Sequence, residues 1–295
     1  MVDDMNVEER LSNELRIFEK VWQGGYFEGD PLDPMAPSGY AEFGYISILY
    51  VVYLYCIKPY ISDSTMALEI GPGRGAWTKT MLNAKEVWCL DAKSRENNEI
   101  DNYLGHPKNL IYHQVNDFLC SELPDDHFDY LFSFGALCHV SWDGIERYMH
   151  NLYPKLRHGA NAFIMIADYD KANKLRDDPW RFDVVSRVFS EKRMRLLKAL
   201  DRKIGQTLMG KRSFILESLG QARWNQIERT LGIRLVGRTR WALMDKDENS
   251  EPRPGRWFHA GTERTVSLLQ EIGYVIVSRD VGLVARDPII HFKKP

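Results

Sequence analysis

The chain has 295 residues, of which 44% are hydrophobic and 27% charged, and its formal net charge is -2. This suits one large domain, or one domain with a sizeable insertion, and excludes general disorder. The near-neutral balance gives no bulk-charge sign of a nucleic-acid partner. Cys56, Cys89, Cys120 and Cys138 are scattered without C-x-x-C spacing, which predicts small core residues, a reducing cytoplasmic setting and no zinc site. The acidic start, Met1-Val2-Asp3-Asp4, lacks the apolar region of a secretion signal.

Residues 6–23 place Leu11, Leu15, Phe18 and Trp22 at three- and four-residue steps with charges between them, predicting a helix that Gly24-Gly25 ends. The loop from Tyr26 to Tyr40 is rich in proline, glycine and aromatics, so it either caps the sheet or closes over a ligand at its end. Residues 41–58 predict a second helix. Its apolar stretch, Tyr45 to Tyr60, is too short and too polar to span a membrane, since it contains Lys58, Pro59 and several tyrosines.

Met66 to Ile70 predicts a strand that breaks into Gly71, Gly73 and Gly75, and Ala76 to Met81 can start a helix. Such a turn lets a ligand lie on bare main chain near free N–H groups. A plain glycine-rich turn is the other reading of a short motif. The next apolar run, Val87 to Leu90, ends in Asp91, sixteen residues after Gly75, where an acid can accept both ribose hydroxyls of an adenosine. A third run, Leu110 to Val115, precedes Asn116-Asp117-Phe118. A fourth, Phe128 to Phe134, leads into Gly135-Ala136-Leu137-Cys138-His139, and a fifth, Ala162 to Ala167, ends in Asp168-Tyr169-Asp170. Strand and helix alternate to about residue 170, which is the pattern of a parallel sheet covered on both faces.

Taken in order, these segments resemble the class I S-adenosylmethionine-dependent methyltransferases, most of all the small-molecule and sugar O-methyltransferases. Leu68 to Gly75 resembles their glycine motif, with Glu69, Gly71, Gly73 and Gly75 as cofactor residues. Asp91 resembles the ribose-binding acid, and Asp117-Phe118 the pair that holds the adenine. Phe134-Gly135 resembles the segment flanking the methionine moiety, and Tyr153 to Gly159 the turn before strand five. The resemblance covers residues 64–170 and, less fully, 261–290. It implies an α/β fold with a Rossmann-like, mostly parallel seven-stranded sheet, an N-terminal helical segment and a largely helical insert after strand five. The implied cofactor is S-adenosyl-L-methionine, with S-adenosyl-L-homocysteine as product.

The expected division is an N-terminal helical or lid segment at 1–62, a cofactor domain at 63–170 and 261–295, and a substrate-binding insert at 171–260. The closing elements are a helix from Thr262 to Ile272 and a hairpin of Tyr274–Arg279 with Leu283–Arg286, its turn near Val281-Gly282. Residues 190–212 read as a basic amphipathic helix. Its plain reading is a docked apolar face with a solvated basic one, and its functional readings are an anionic acceptor or a peripheral contact with an anionic membrane. Trp224, Trp241 and Trp257 with Arg238, Arg240, Arg253 and Arg256 suit carbohydrate or phosphate ligands. The expected partner is thus a small-molecule or glycan acceptor, anionic in character, with no nucleic acid; homo-oligomer formation is left open.

A methyl on a sulfonium is already activated, so the protein must orient a nucleophile and manage its proton. His139, four residues after Gly135, is the first candidate base, and its plainer reading is a helix-start histidine bonded to backbone. His259 is the second. Asp168 and Asp170 suit orienting a hydroxyl or binding a metal. In the magnesium-dependent sugar enzymes of this class the paired acids sit near strand four, where this chain has Gly135-Ala136, so no metal is expected. The expected function is O-methylation of a carbohydrate or of a phosphorylated, nucleotide-linked or lipid-linked small molecule. The alternative is a non-catalytic cofactor-binding protein that docks on a membrane or a partner enzyme. Aminopropyl transfer on the same fold is a third option, against which the absence of an acidic pair at Ala136-Leu137 speaks.

Overall fold

The computed structural model of the chain describes residues 7–18, 21–36, 42–43, 46–171, 257–284 and 287–295. The basic segment 190–212, Trp224, Trp241 and the four arginines of the expected insert lie outside the described residues.

Seven strands form one sheet: β1 (Met66–Ile70), β2 (Glu86–Asp91), β3 (Leu110–Gln114), β4 (Phe128–Ser133), β5 (Leu156–Met165), β6 (Val275–Ser278) and β7 (Ile289–Lys293). Their order is β3-β2-β1-β4-β5-β7-β6. The first five run parallel, and β7 lies antiparallel between β5 and β6. The expected Rossmann-like sheet is therefore present. The chain reverses its direction of strand addition between β1 and β4, which opens a crevice at their carboxyl ends. All of β1 is buried, as a strand covered on both faces requires.

On one face, α1 (Val7–Phe18), α4 (Trp142–Leu152) and α5 (Thr262–Ile272) contribute Leu15, Met149, Leu152 and Leu269 to the core around Leu68, Leu131 and Ile164. The Ser141 side chain caps α4 by accepting from the Gly144 N–H. Glu14 of α1 also accepts the Ser141 N–H at 2.5 Å, which ties the two helices together. On the other face, α2 (Ile48–Val52) buries Ile48, Leu49 and Val52. A short helix, α3 (Ile100–Leu104), follows β2.

Three local expectations change. The helix expected over 41–58 begins only at Ile48 and widens into a π turn at Tyr53–Ile57. The widening falls where the sheet's Tyr130 hydroxyl donates to the Cys56 carbonyl at 2.7 Å. No long helix follows the glycine turn. A single 3-10 turn, Thr78–Met81, stands there, because the Thr78 hydroxyl donates to Glu69 and the Thr80 hydroxyl to the Trp77 carbonyl before the chain turns into β2. The last strand is Ile289–Lys293; of the strand expected over Leu283–Arg286, Leu283 and Val284 lie outside any strand, and Ala285 and Arg286 lie outside the described residues. The buried run Ile289 to Phe292 suits a strand between two neighbours, and the Asp280 carboxylate gathers the preceding loop by accepting from the Gly282 and Ile289 N–H groups. Among the described residues no helix is long and apolar enough to cross a membrane.

Candidate active site

The crevice between β1 and β4 opens into a cleft with about 690 Å3 of empty space, its mouth included. Its floor is the loop after β1. Gly71 and Gly73 have φ of 73° and 54°, in the left-handed region. A Cβ on Gly71 would lie 2.2 Å from the Ala136 Cβ, and one on Gly73 would lie 2.7 Å from the Tyr26 carbonyl oxygen. Glycine is needed at both because the Ala136 methyl crowds the first and the Tyr26 main chain the second.

Asp91 ends β2 and lines the cleft. Its Oδ2 accepts the Gly73 N–H at 3.3 Å and its Oδ1 the Lys93 N–H at 2.9 Å. Burial raises its pKa, opposed by those N–H groups and by Asn98 and the Lys93 ammonium. Asn98 also lines the cleft. Its Nδ2 donates to the Tyr112 hydroxyl at 2.8 Å, while its buried Oδ1 has no hydrogen-bond partner. An unmet buried acceptor beside a carboxylate suits a ligand that brings hydroxyl or amino donors, as an adenosine does.

The roof comes from elsewhere in the chain. Phe18, Trp22 and Tyr26 line the cleft from the N-terminal segment. The stretch after β4 supplies Phe134, Gly135, Ala136, His139 and Val140. His139 sits in a 3-10 turn, Leu137–His139, and is only 7% exposed. Its ring lies 5.3 Å from Trp22, 6.2 Å from Phe18 and 5.1 Å from Trp257. Trp257 is held there because the next residue, Phe258, donates its N–H to the Cys138 carbonyl at 2.9 Å. The Trp257 carbonyl also accepts the Tyr169 hydroxyl.

The cleft thus brings together Gly71, Gly73, Asp91, Phe134, Gly135 and His139 of the expected site. It does not bring in the others. Glu69 faces inward at 1% exposure, accepts from Thr78 at 2.6 Å, and has its pKa pushed up to about 8 by burial. Gly75 packs against α3, where a Cβ would meet Ile100 and Leu104. Phe118 is buried edge-on to Tyr148, the residue that actually lines the cleft, and Asp117 closes a local turn by accepting the Leu119 N–H.

Asp168 and His259 lie at the end of β5, apart from the cleft lining. Asp168 Oδ1 accepts the Asp170 and Lys171 N–H groups, and Oδ2 accepts the Thr262 N–H and hydroxyl. Burial works to raise its pKa, but these donors outweigh it and hold the carboxyl below its ordinary range. His259 Nδ1 accepts the Tyr169 N–H at 3.1 Å, so its neutral ring carries the proton on Nε2, 3.9 Å from Asp170. Asp168, Asp170 and His259 are close enough to surround a cation. Both Asp168 oxygens and the His259 lone pair already serve these donors.

Three cleft residues carried little signal in the sequence. Lys93 and Asn98 follow β2 in an irregular stretch, and Trp22 reads as one more apolar position of the first helix. Only the "Asp-x-Lys" spacing at Asp91 and Lys93 hinted that a cation stands near the acid.

Residues 67–159 match a family model described as a methyltransferase domain. No curated protein matches the chain. Among solved structures, the YcgJ protein from Bacillus subtilis is 19% identical, with 44% of this chain and 60% of that one covered and a TM-score of 0.36. An S-adenosylmethionine-dependent methyltransferase from Mesorhizobium loti is also 19% identical, with 42% and 54% covered and a TM-score of 0.36. A Listeria monocytogenes protein assigned to the same enzymes is 12% identical, with 83% and 99% covered and a TM-score of 0.45. The chain thus spans little more than half the length of the first two. The matched segment runs from β1 into β5 and contains the glycine loop, Asp91, Asn98 and His139.

Proposed function

We propose that the protein is an S-adenosylmethionine-dependent methyltransferase that methylates an oxygen of a small-molecule acceptor, a carbohydrate or a phosphorylated, nucleotide-linked or lipid-linked intermediate. The observation that carries this reading is one cleft lined by both Asp91 and His139 together with Gly71, Gly73 and Gly135. When bound, the cofactor supplies an activated methyl group. The Asp91 carboxylate accepts the ribose hydroxyls, and Asn98 Oδ1 takes a further donor. Gly71, Gly73 and Gly135 admit the ligand against main chain. The neutral His139 imidazole takes the proton from the acceptor hydroxyl as the oxygen attacks. Aromatic rings around His139 keep water from competing. Asp168 and His259 position the turn that delivers Trp257, and neither touches the reacting atoms. The basic composition of residues 190–212 supports an anionic acceptor.

The test is methyl transfer from labelled S-adenosylmethionine into a host extract separated into polymer, lipid and small-molecule fractions. Label is expected in one fraction, and His139→Ala should lower its rate by about 10²-fold or more. Cofactor binding with no label in any fraction would replace this reading with the non-catalytic one. Turnover unchanged in His139→Ala would remove His139 as the base.

A further inference from the structure

Trp22 is a bulky residue at φ 50°, a conformation that costs an L side chain energy unless its surroundings hold it. What holds it is Lys93. This lysine is 5% exposed and lies 71 residues away in sequence, and its ammonium donates to the Val21 carbonyl at 2.6 Å and to the Trp22 carbonyl at 2.5 Å. The same residue gives its backbone N–H to Asp91 Oδ1. Burial holds the Lys93 ammonium below its ordinary pKa, with the Asp91 carboxylate opposing. A buried lysine spent on two carbonyls is costly, so its bonds must return that cost in the closed arrangement.

The segment it grips lies across the floor of the cleft. The Arg74 N–H donates to the Tyr26 carbonyl at 3.1 Å, and its guanidinium donates to the Gly24 carbonyl at 2.5 Å. A Cβ on Gly25 would lie 2.6 Å from the Asn98 carbonyl oxygen. The indole at the centre of this strap contacts Phe18, Tyr26 and His139.

The geometry points to Lys93 as a positioning residue that links the ribose acid to the roof: it seats residues 21–26 over the cofactor and sets the Trp22 indole against His139. Through Lys93, a ligand on Asp91 and the strap stabilise each other, although no strap residue need touch the acceptor. This rests on the cofactor reading above.

The experiment is hydrogen exchange of the full chain with and without S-adenosylhomocysteine, on wild type, Lys93→Met and Lys93→Arg, with affinities from calorimetry. At ligand near 100 times Kd, strap amides at 21–27 are expected to exchange about tenfold or more slower in wild type, toward the roughly 100-fold limit of full linkage. In Lys93→Met the ligand should still slow residues 71–75 while the strap slowing disappears. Lys93→Arg, which keeps a cationic donor, should restore part of it. Equal strap slowing in wild type and Lys93→Met overturns the proposal, as does ligand binding to wild type that leaves the strap unchanged. If Lys93→Met does not fold, the wild-type and Lys93→Arg measurements decide by the same criteria. If wild type does not bind the ligand, the cofactor reading itself falls, and this inference with it.

Discussion

The floor and the roof of the cleft are built by different means. The floor, from β1 through the glycine loop to Asp91, is one continuous segment held by main-chain bonds, such as the Gly71 N–H on the Leu90 carbonyl at 2.8 Å. The roof gathers Phe18, Trp22 and Tyr26 from before the sheet and Trp257 from between β5 and β6, and it is held by side chains on carbonyls, by ring contacts and by isolated main-chain bonds at Tyr26 and Phe258. The floor is part of the sheet and shares the sheet's stability. The roof depends on a few long-range contacts, so it belongs to the less stable part of the fold, from which ligand-linked movements are drawn.

Gly73 is where the two meet, and changing it should have the largest effect. Gly73→Ala places a Cβ 2.7 Å from the Tyr26 carbonyl at a left-handed φ, so it strains the floor and lifts the roof together. Strain of about 1–3 kcal/mol plus the lost seat predicts cofactor affinity about 10²-fold weaker by calorimetry. Binding within a few-fold of wild type would show that the Tyr26 strap is not needed over the loop.

Glu69 tests the floor alone. Folded Glu69 keeps its proton up to about pH 8, against an ordinary glutamate value of 4.5. Between those values the folded chain binds more protons than the unfolded one. The stability from this group is therefore complete below about pH 4.5 and is lost as pH rises through about 8. Glu69→Gln keeps an acceptor for Thr78 and cannot ionise. From about pH 6 to about pH 9 the wild-type melting temperature should fall relative to Glu69→Gln, by a few degrees. A constant difference across that range would mean that Glu69 is ionised throughout.

The same contrast explains what the sequence made legible. Strands largely buried in the sheet read as apolar runs, so β1, β2 and β4 and the residues at their ends, Asp91 and Phe134-Gly135, could be found by position. Phe118 follows β3 at the right place in order, yet its ring turns into the core beside Tyr148. Nothing local distinguishes those two outcomes. Ile289 to Phe292 and Leu283-Val284 are both apolar, and only pairing with β5 selects the first as the strand. Lys93 and Trp22 act through contacts between segments about seventy residues apart, and no periodicity records such a contact. His259 looked like a base by type and place, but which lone pair is engaged is a matter of geometry.

The smallest effect is expected at the outer end of the roof. Lys79 pairs with Asp30 at 2.5 Å and lies 5.5 Å from the Tyr103 ring centroid, with both charged side chains about a third exposed. An ion pair at such exposure is worth about 0–1 kcal/mol and weakens with salt. Lys79→Met should therefore cost at most about 1 kcal/mol by denaturant unfolding, less at high salt, and leave cofactor affinity within about threefold. Lys93 grips the strap itself and is buried and bonded to two carbonyls, so its loss should be felt in the ligand linkage. If Lys79→Met also removed the ligand-dependent slowing of residues 21–27, the strap would be seated by its whole length and not by the single buried lysine beside Asp91.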